Sequence, residues 1–295
     1  MSRSGRVVAR YRRHCLVEAE NDDRVPCQIG KRSLNPIAGD MVEWQPEPDD
    51  RGIITDVHDR NSELTRIDNR GRPEVVAANL TQLVVVIAPT PPPDWFLLDR
   101  YLAAAELSNL SSVIVFNKSD LTQSPLPELE DYRGLTGAIC LTSAKQSTNL
   151  EDLRLHMQGH RSVLIGQSGV GKSSLTNALL GDSLQQVREL SEKSGLGRHT
   201  TSTAALYRLP GAGELVDSPG VRDYGPYIVD ARDVQQGFRE FSDYAENCRF
   251  DDCAHLAEPD CAVKRAVDLG GISERRYSSF KALLDLTESL NRGQR

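Results

Sequence analysis

The chain has 295 residues, 26% of them charged and 39% hydrophobic, with a formal net charge of −7. That length accommodates two or three domains, each able to bury a core. The negative balance excludes nonspecific nucleic-acid binding by the protein as a whole, so any RNA contact has to come from local basic patches.

No apolar run is long enough for a transmembrane helix. The N-terminus, MSRSGRVVARYRRH, is basic but lacks the apolar core of a signal peptide. The expected location is therefore the cytoplasm, with no membrane partner. Six cysteines do not make a disulfide framework in that compartment.

Residues 1–70 read as short strands separated by turn residues: Arg6–Tyr11, His14–Ala19, Val25–Ile29, Asp40–Trp44, Gly52–Val57 and Leu64–Ile67. So many short strands suggest a Greek-key barrel, of which the oligonucleotide-binding (OB) barrel is the commonest RNA host. Arg3, Arg6, Arg10, Arg12 and Arg13 precede any acidic residue. They read either as an RNA-facing edge or as a solvated charged tail.

Residues 71–226 change pattern. Leu83–Ile87 and Val113–Phe116 are buried-strand runs, and Trp95–Leu107 carries apolar residues at helical spacing. Strand Ala138–Leu141, a short helix over Leu150–Met157 and strand Ser162–Ile165 follow. Alternating strands and helices imply a parallel sheet with helices on both faces and ligand loops at the carboxyl ends of the strands. Residues 190–202 are polar and glycine-containing, which predicts a mobile segment, and Ala205–Leu209 and Glu214–Val216 read as paired strands. Residues 227–295 read as helical around a cysteine cluster.

The loop Gly166, Gln167, Ser168, Gly169, Val170, Gly171, Lys172, Ser173, Ser174 has the form GxxxxGKS between a strand and a helix. Its glycines let backbone N–H groups converge on a polyphosphate at the helix N-terminus. Lys172 is expected to reach the outer phosphates and Ser173 to bind Mg2+. Asn117, Lys118, Ser119 and Asp120 form NKxD at a strand end. A carboxylate there accepts from guanine N1–H and the exocyclic amine, whereas adenine would leave those groups unpaired. Asn117 is expected to bond N7, and Lys118 to cover the base. Ser143, Ala144 and Lys145 resemble the second base-contacting loop of GTPases. Asp217-Ser218-Pro219-Gly220 has the form DxxG, with Asp217 expected on Mg2+ through water and the Gly220 N–H on the γ-phosphate. The motifs occur in permuted order, because NKxD and SAK precede the phosphate loop.

Cys248, Cys253, His255 and Cys261 are spaced C-x4-C-x-H-x5-C. Three thiolates and an imidazole fill a tetrahedral Zn2+ shell of the closed, structural kind. Cys15, Cys27 and Cys140 sit in strand patterns and are expected to be buried packing residues. His14, His58, His156 and His160 have no ligand-like spacing.

A barrel, a permuted GTPase and this C-terminal module together resemble the ribosome-small-subunit-dependent GTPases of bacteria over essentially the whole chain. Gly197-Arg198-His199-Thr200-Thr201 also belongs to the resemblance; Ser202 departs from it where a third threonine is expected. The resemblance implies a GTPase that binds the maturing small (30S) subunit and its 16S rRNA, is stimulated by it, and leaves as a monomer after hydrolysis. It also implies Thr201 as a further Mg2+ ligand. Val221 stands where Ras-like enzymes carry a water-positioning glutamine, so His199 is the expected catalytic group, with Gln167 a weaker candidate and an RNA-contacting histidine the alternative. RNA contacts are expected from Arg10, Arg12, Arg13, Lys264, Arg265, Arg275 and Arg276. The competing reading is a GTP-switched, RNA-binding regulator with negligible turnover.

Overall fold

In a computed structural model, the structure describes residues 2–11, 13–67, 72–181, 204–217 and 231–293. Five strands build the barrel: β1 (Arg3–Tyr11), β2 (His14–Ala19), β3 (Arg24–Ile29), β4 (Met41–Glu47) and β5 (Arg51–Val57). They pair in the ring β1-β2-β3-β5-β4 and back to β1, with only β3–β5 parallel. That is the OB-type closure anticipated above, and it leaves no edge within the ring. Val7, Cys15, Val17, Cys27, Val42, Trp44 and Ile54 fill the interior. The β1–β2 register shifts between Val7 and Ala9. This irregularity leaves Val7 in the barrel while Val8 and Ala9 join the larger core outside it.

The sixth expected strand does not belong to the barrel. β6 (Glu63–Ile67) pairs instead with β7 (Pro73–Ala78) in a two-stranded sheet of its own. β7 was not anticipated, because its run PEVVAA opens on proline and is short of bulky apolar residues. Leu64, Val76 and Ala77 seat this hairpin on the main core.

The second region is a sheet in the order β10-β9-β8-β11-β13-β12. It comprises β8 (Gln82–Ile87), β9 (Ser111–Phe116), β10 (Ala138–Leu141), β11 (Arg161–Ile165), β12 (Ala205–Arg208) and β13 (Glu214–Asp217). All neighbours are parallel except β12. Side-chain alternation puts Leu83, Val85, Ile87, Ile114, Phe116, Val163 and Ile165 in one core, and Val84, Val86, Val113, Val115 and Leu164 in the other. Burial on both faces is why these strands read as unbroken apolar runs.

Helix α1 (Trp95–Leu107) follows β8, α2 (Leu150–Met157) joins β10 to β11, and α3 (Lys172–Leu180) follows β11. Arg154 of α2 donates to the carbonyls of Ala178 (2.9 Å) and Leu179 (3.2 Å), satisfying the open C-terminal end of α3. Barrel and sheet meet where β1 pairs β12 at Ala9 and Ala205. Arg6 strengthens that seam by binding Glu18 of the barrel (2.7 Å) and Glu214 of β13 (2.9 Å). One of the N-terminal arginines expected on an RNA-facing edge is thus an interdomain strut.

The C-terminal region packs Val234, Phe238, Phe241, Val263, Phe280 and Leu283 against Ala103 of α1. It includes α4 (Ala262–Asp268) and α5 (Glu274–Gly293). Among the described residues, no helix is long and apolar enough to cross a membrane.

Candidate nucleotide and metal sites

The phosphate loop leaves β11 at Gly166 and enters α3 at Lys172. Two of its glycines are required by close approach. A Cβ on Gly166, at φ +139°, would stand 2.1 Å from the Val86 carbonyl oxygen, and one on Gly171, at φ +97°, would stand 2.3 Å from Asn117 Nδ2. No side chain fits at either position. Lys172 Nζ donates to the carbonyls of Gly166 (2.6 Å) and Gln167 (2.7 Å), so its ammonium lies across the loop that has to hold phosphates. Ser168, Ser173 and Ser174 are exposed, whereas Val170 is fully buried beneath them.

Asn117 is only 1% exposed. Its Nδ2 donates to the Val170 carbonyl (2.9 Å), and its Oδ1 accepts from the Ala144 N–H (3.1 Å). In the sequence it reads as a base-contacting residue; in the fold it ties the phosphate loop, NKxD and SAK together. Lys118 adopts a left-handed conformation, φ +58°, and its Nζ donates to the Gly169 and Thr90 carbonyls, both at 2.7 Å. Its stem therefore bridges NKxD and the phosphate loop. Ser143 Oγ donates to Asp120 Oδ1 (2.6 Å) and accepts from the Gln146 N–H (3.2 Å). An isolated bridge between Ser143 and Thr148 closes the SAK loop behind it. Asp120 is thereby oriented at the half-exposed rim with acceptor capacity to spare. Ser119 is half-exposed beside it, and Lys145 is exposed.

Sequence reasoning missed how Gln167 is used. Its Oε1 accepts from the Asp94 N–H (2.8 Å), and its Nε2 donates to the Pro92 carbonyl (3.3 Å). Asp94 in turn caps α1 by accepting from the Leu97 N–H (2.9 Å). Loop composition cannot reveal such a partner 73 residues away. Asp217 lies at the end of β13, parallel to β11 and so on the phosphate-loop side of the sheet. Gly220, Val221, His199, Thr201, Ser202, Arg12 and the rest of the expected mobile segment lie outside the described residues.

The four predicted metal ligands do come together, with donor atoms all within 4.8 Å of one another. His255 Nδ1 stands 3.7 Å from Cys248 Sγ and 3.5 Å from Cys261 Sγ, and the two sulfurs are 3.9 Å apart. The Ala262 N–H points at Cys248 Sγ (3.4 Å) and the Lys264 N–H at Cys261 Sγ (3.5 Å), so backbone donors orient both sulfurs. Tyr277 of α5 donates to the His255 carbonyl (2.7 Å), and Phe241 meets the imidazole edge-on. Burial lowers the His255 pKa, keeping the ring neutral and able to ligate. This is a metal-binding cluster of closed, structural form.

Two of the expected RNA-contacting residues do something else. Arg276 is 2% exposed; it pairs with Asp99 of α1 (2.8 Å) and grips both oxygens of Glu240 (2.8 and 2.9 Å). Arg275 bonds Tyr132 Oη and Asp131, both at 2.8 Å, with its guanidinium over the Trp95 ring. Arg276 is thereby buried against α1, while Arg275, 25% exposed, anchors α5 to Trp95, Asp131 and Tyr132. Arg13 and Arg265 are exposed, and Arg10 spends one nitrogen on Asn35 (2.6 Å) and Pro36 (2.9 Å). Lys264 donates to the Glu258 carbonyl (3.0 Å).

A family model described as RsgA GTPase matches residues 57–226. Among curated relatives, the small ribosomal subunit biogenesis GTPase RsgA of Chromohalobacter salexigens is 41% identical over 96% of this chain and 86% of that protein. Its namesake in Azotobacter vinelandii is 40% identical over 95% and 84%. Of solved structures, YjeQ from Thermotoga maritima superposes with a TM-score of 0.79 at 32% identity, covering 97% of this chain and 99% of that one. YloQ, described as a circularly permuted GTPase, superposes with a TM-score of 0.75 at 25% identity, covering 98% and 96%. A permuted guanine-nucleotide site on this sheet, and relatives matched across nearly their whole length, place the chain in the RsgA GTPase family.

Proposed function

We propose that this protein hydrolyses GTP in the service of small-subunit maturation, binding the 30S particle through its 16S rRNA, acting in the cytoplasm as a monomer, and leaving once GTP is spent. The observation that carries this reading is the convergence of the phosphate loop, NKxD and SAK on Asn117, in a chain whose relatives are named for small ribosomal subunit biogenesis.

Within the site, the Gly166–Ser174 backbone would hold the phosphates, and Asp120 would read guanine. Ala144 and Lys118 would flank the base. Mg2+, when bound with GTP, neutralises phosphate charge, and Ser173, Thr201 and Asp217 (through water) would hold it. His199 would orient the attacking water, and Gly220 would sense the γ-phosphate. In the C-terminal cluster the ion is Zn2+. Zn–S bonds of about 2.3 Å and Zn–N bonds of about 2.0–2.1 Å in a tetrahedron require edges of about 3.5–3.8 Å. The observed separations of 3.5, 3.7 and 3.9 Å fit such a shell. With Arg276 buried, the RNA-facing set is Arg10, Arg12, Arg13, Lys264, Arg265 and the partly exposed Arg275.

Turnover of GTP by the purified protein, with and without purified small subunits, tests the proposal. The expected result is slow hydrolysis alone and marked stimulation by the subunits. Equal turnover in both would refute it.

A further inference from the structure

Cys140 is 1% exposed on β10, within the core that α2 covers. Two residues of α2, Asp152 and His156, stand one helical turn apart on the face above it, their side chains 59% and 41% exposed. Cys140 Sγ, a carboxylate oxygen of Asp152 and a ring nitrogen of His156 all lie within 4.8 Å of one another, and Asp152 Oδ1 is 3.9 Å from His156 Nε2.

From this arrangement we infer that Cys140, Asp152 and His156 form a second metal site, for a divalent cation of the Zn2+ class, that clamps β10 to α2. The donor types decide the class of ion. A thiolate and an imidazole favour Zn2+ or Co2+ over Mg2+ or Ca2+. One thiolate and one carboxylate neutralise the ion's two charges. Three protein ligands leave a fourth position open to water, so the site is an exchangeable one, unlike the closed Cys248–Cys261 cluster. A tetrahedral shell needs donor separations of about 3.3–3.8 Å. Rotation of the two exposed side chains closes the remaining gap without moving the core, and the same exposure is the entry path.

The clamp would act on residues 142–149. They leave β10 immediately after Cys140 and Leu141, and return to α2 at Asn149, whose side chain donates to the Leu141 carbonyl (2.9 Å). Ser143, the partner of Asp120, lies within that segment. Nothing in the binding step depends on the proposed ribosomal role.

Co2+ titration of the full chain, with its Cys248–Cys261 cluster already loaded with Zn2+, is the test. The expected result is one further equivalent with a thiolate charge-transfer band in the near ultraviolet. The band should be lost in Cys140→Ser, and in His156→Ala the further equivalent should bind about tenfold or more weaker. His156→Ala changes only a surface side chain, so it keeps the test informative even if Cys140→Ser fails to fold. Amide exchange across residues 142–149 should slow on Zn2+ addition in the native chain and not in His156→Ala. No further equivalent, or one that persists in both variants, would overturn the site. Binding without slower exchange would overturn the clamp.

Discussion

Replacing Arg276 by Met would test how the C-terminal region is held. The guanidinium is 2% exposed and makes three charge-assisted hydrogen bonds, one to Asp99 and two to Glu240. Methionine retains much of the apolar stem and the packing against Phe238 but strands two carboxylates, Asp99 at 1% and Glu240 at 10% exposure. Removing one partner of a buried ion pair costs about 3–5 kcal/mol, because the other charge is left uncompensated. Asp99 keeps the Tyr132 hydroxyl at 2.8 Å and Arg275 at 3.7 Å, which places the expected loss at the lower end, about 3 kcal/mol. Burial, and then Asp99 itself, raise the Tyr132 pKa, so the phenol remains a donor to that carboxylate. Urea denaturation followed by metal release reads the loss directly. Nucleotide affinity measured without denaturant should be nearly unchanged, since the partners of Arg276 among the described residues, Asp99 and Glu240, lie outside the phosphate, NKxD and SAK loops. Arg276→Lys should fall between, because an ammonium cannot grip Glu240 with two parallel bonds. A loss below about 1 kcal/mol, the scale of a surface ion pair, would refute the reasoning.

Other expectations follow from the sites. Asp120→Asn presents a donor to guanine donors and should weaken GTP binding by about 1–3 kcal/mol while admitting xanthosine triphosphate; a titration with both nucleotides checks it. Elemental analysis should find about one tightly held Zn2+ per chain, and Cys253→Ser should release it and loosen residues beyond 245 while GTP still binds. Replacing Arg10, Arg12 and Arg13 together by Ala should flatten the salt dependence of subunit binding, and an unchanged slope would make this segment a solvated charge run. His199→Ala should leave GTP affinity intact but lower subunit-stimulated turnover by about 10²-fold or more; full stimulated turnover would place the catalytic group elsewhere.

Most of the fold was legible because its signals are local. Strands His14–Ala19 and Ala138–Leu141 and helices Trp95–Leu107 and Leu150–Met157 run where periodicity placed them. The motif loops were legible for a related reason: GxxxxGKS, NKxD and C-x4-C-x-H-x5-C carry their chemistry within a few residues. Long-range pairings left no such signature. Arg276 and Asp99 are 177 positions apart, and Arg6 and Glu214 are 208 apart. Basic residues near a chain end read as nucleic-acid contacts until the fold shows acids opposite them. Asn117 is a subtler case. Its motif was recognised, yet its hydrogen bonds to Val170 and Ala144 are properties of three loops meeting. For β7, proline at the strand start and small residues along it hid a hairpin that burial makes plain.

The permutation explains why the site survives a rearranged chain. What aligns the ligand loops is the hydrogen-bonded order of parallel strands, β10-β9-β8-β11-β13, and that order is independent of where the chain begins. NKxD leaves β9, SAK leaves β10 and the phosphate loop leaves β11, all at carboxyl ends. Joining β10 to β11 then requires a connection that passes behind the sheet, and α2 supplies it. Gln82 of β8 donates to the His156 carbonyl (2.9 Å), and Arg154 reaches the last turn of α3, so the joining helix is fixed at both of its neighbours. The permuted chain thereby gains a rigid link that packs in the same core as α3. The ligand loops are positioned by Asn117, Lys118, Ser143 and Gln167.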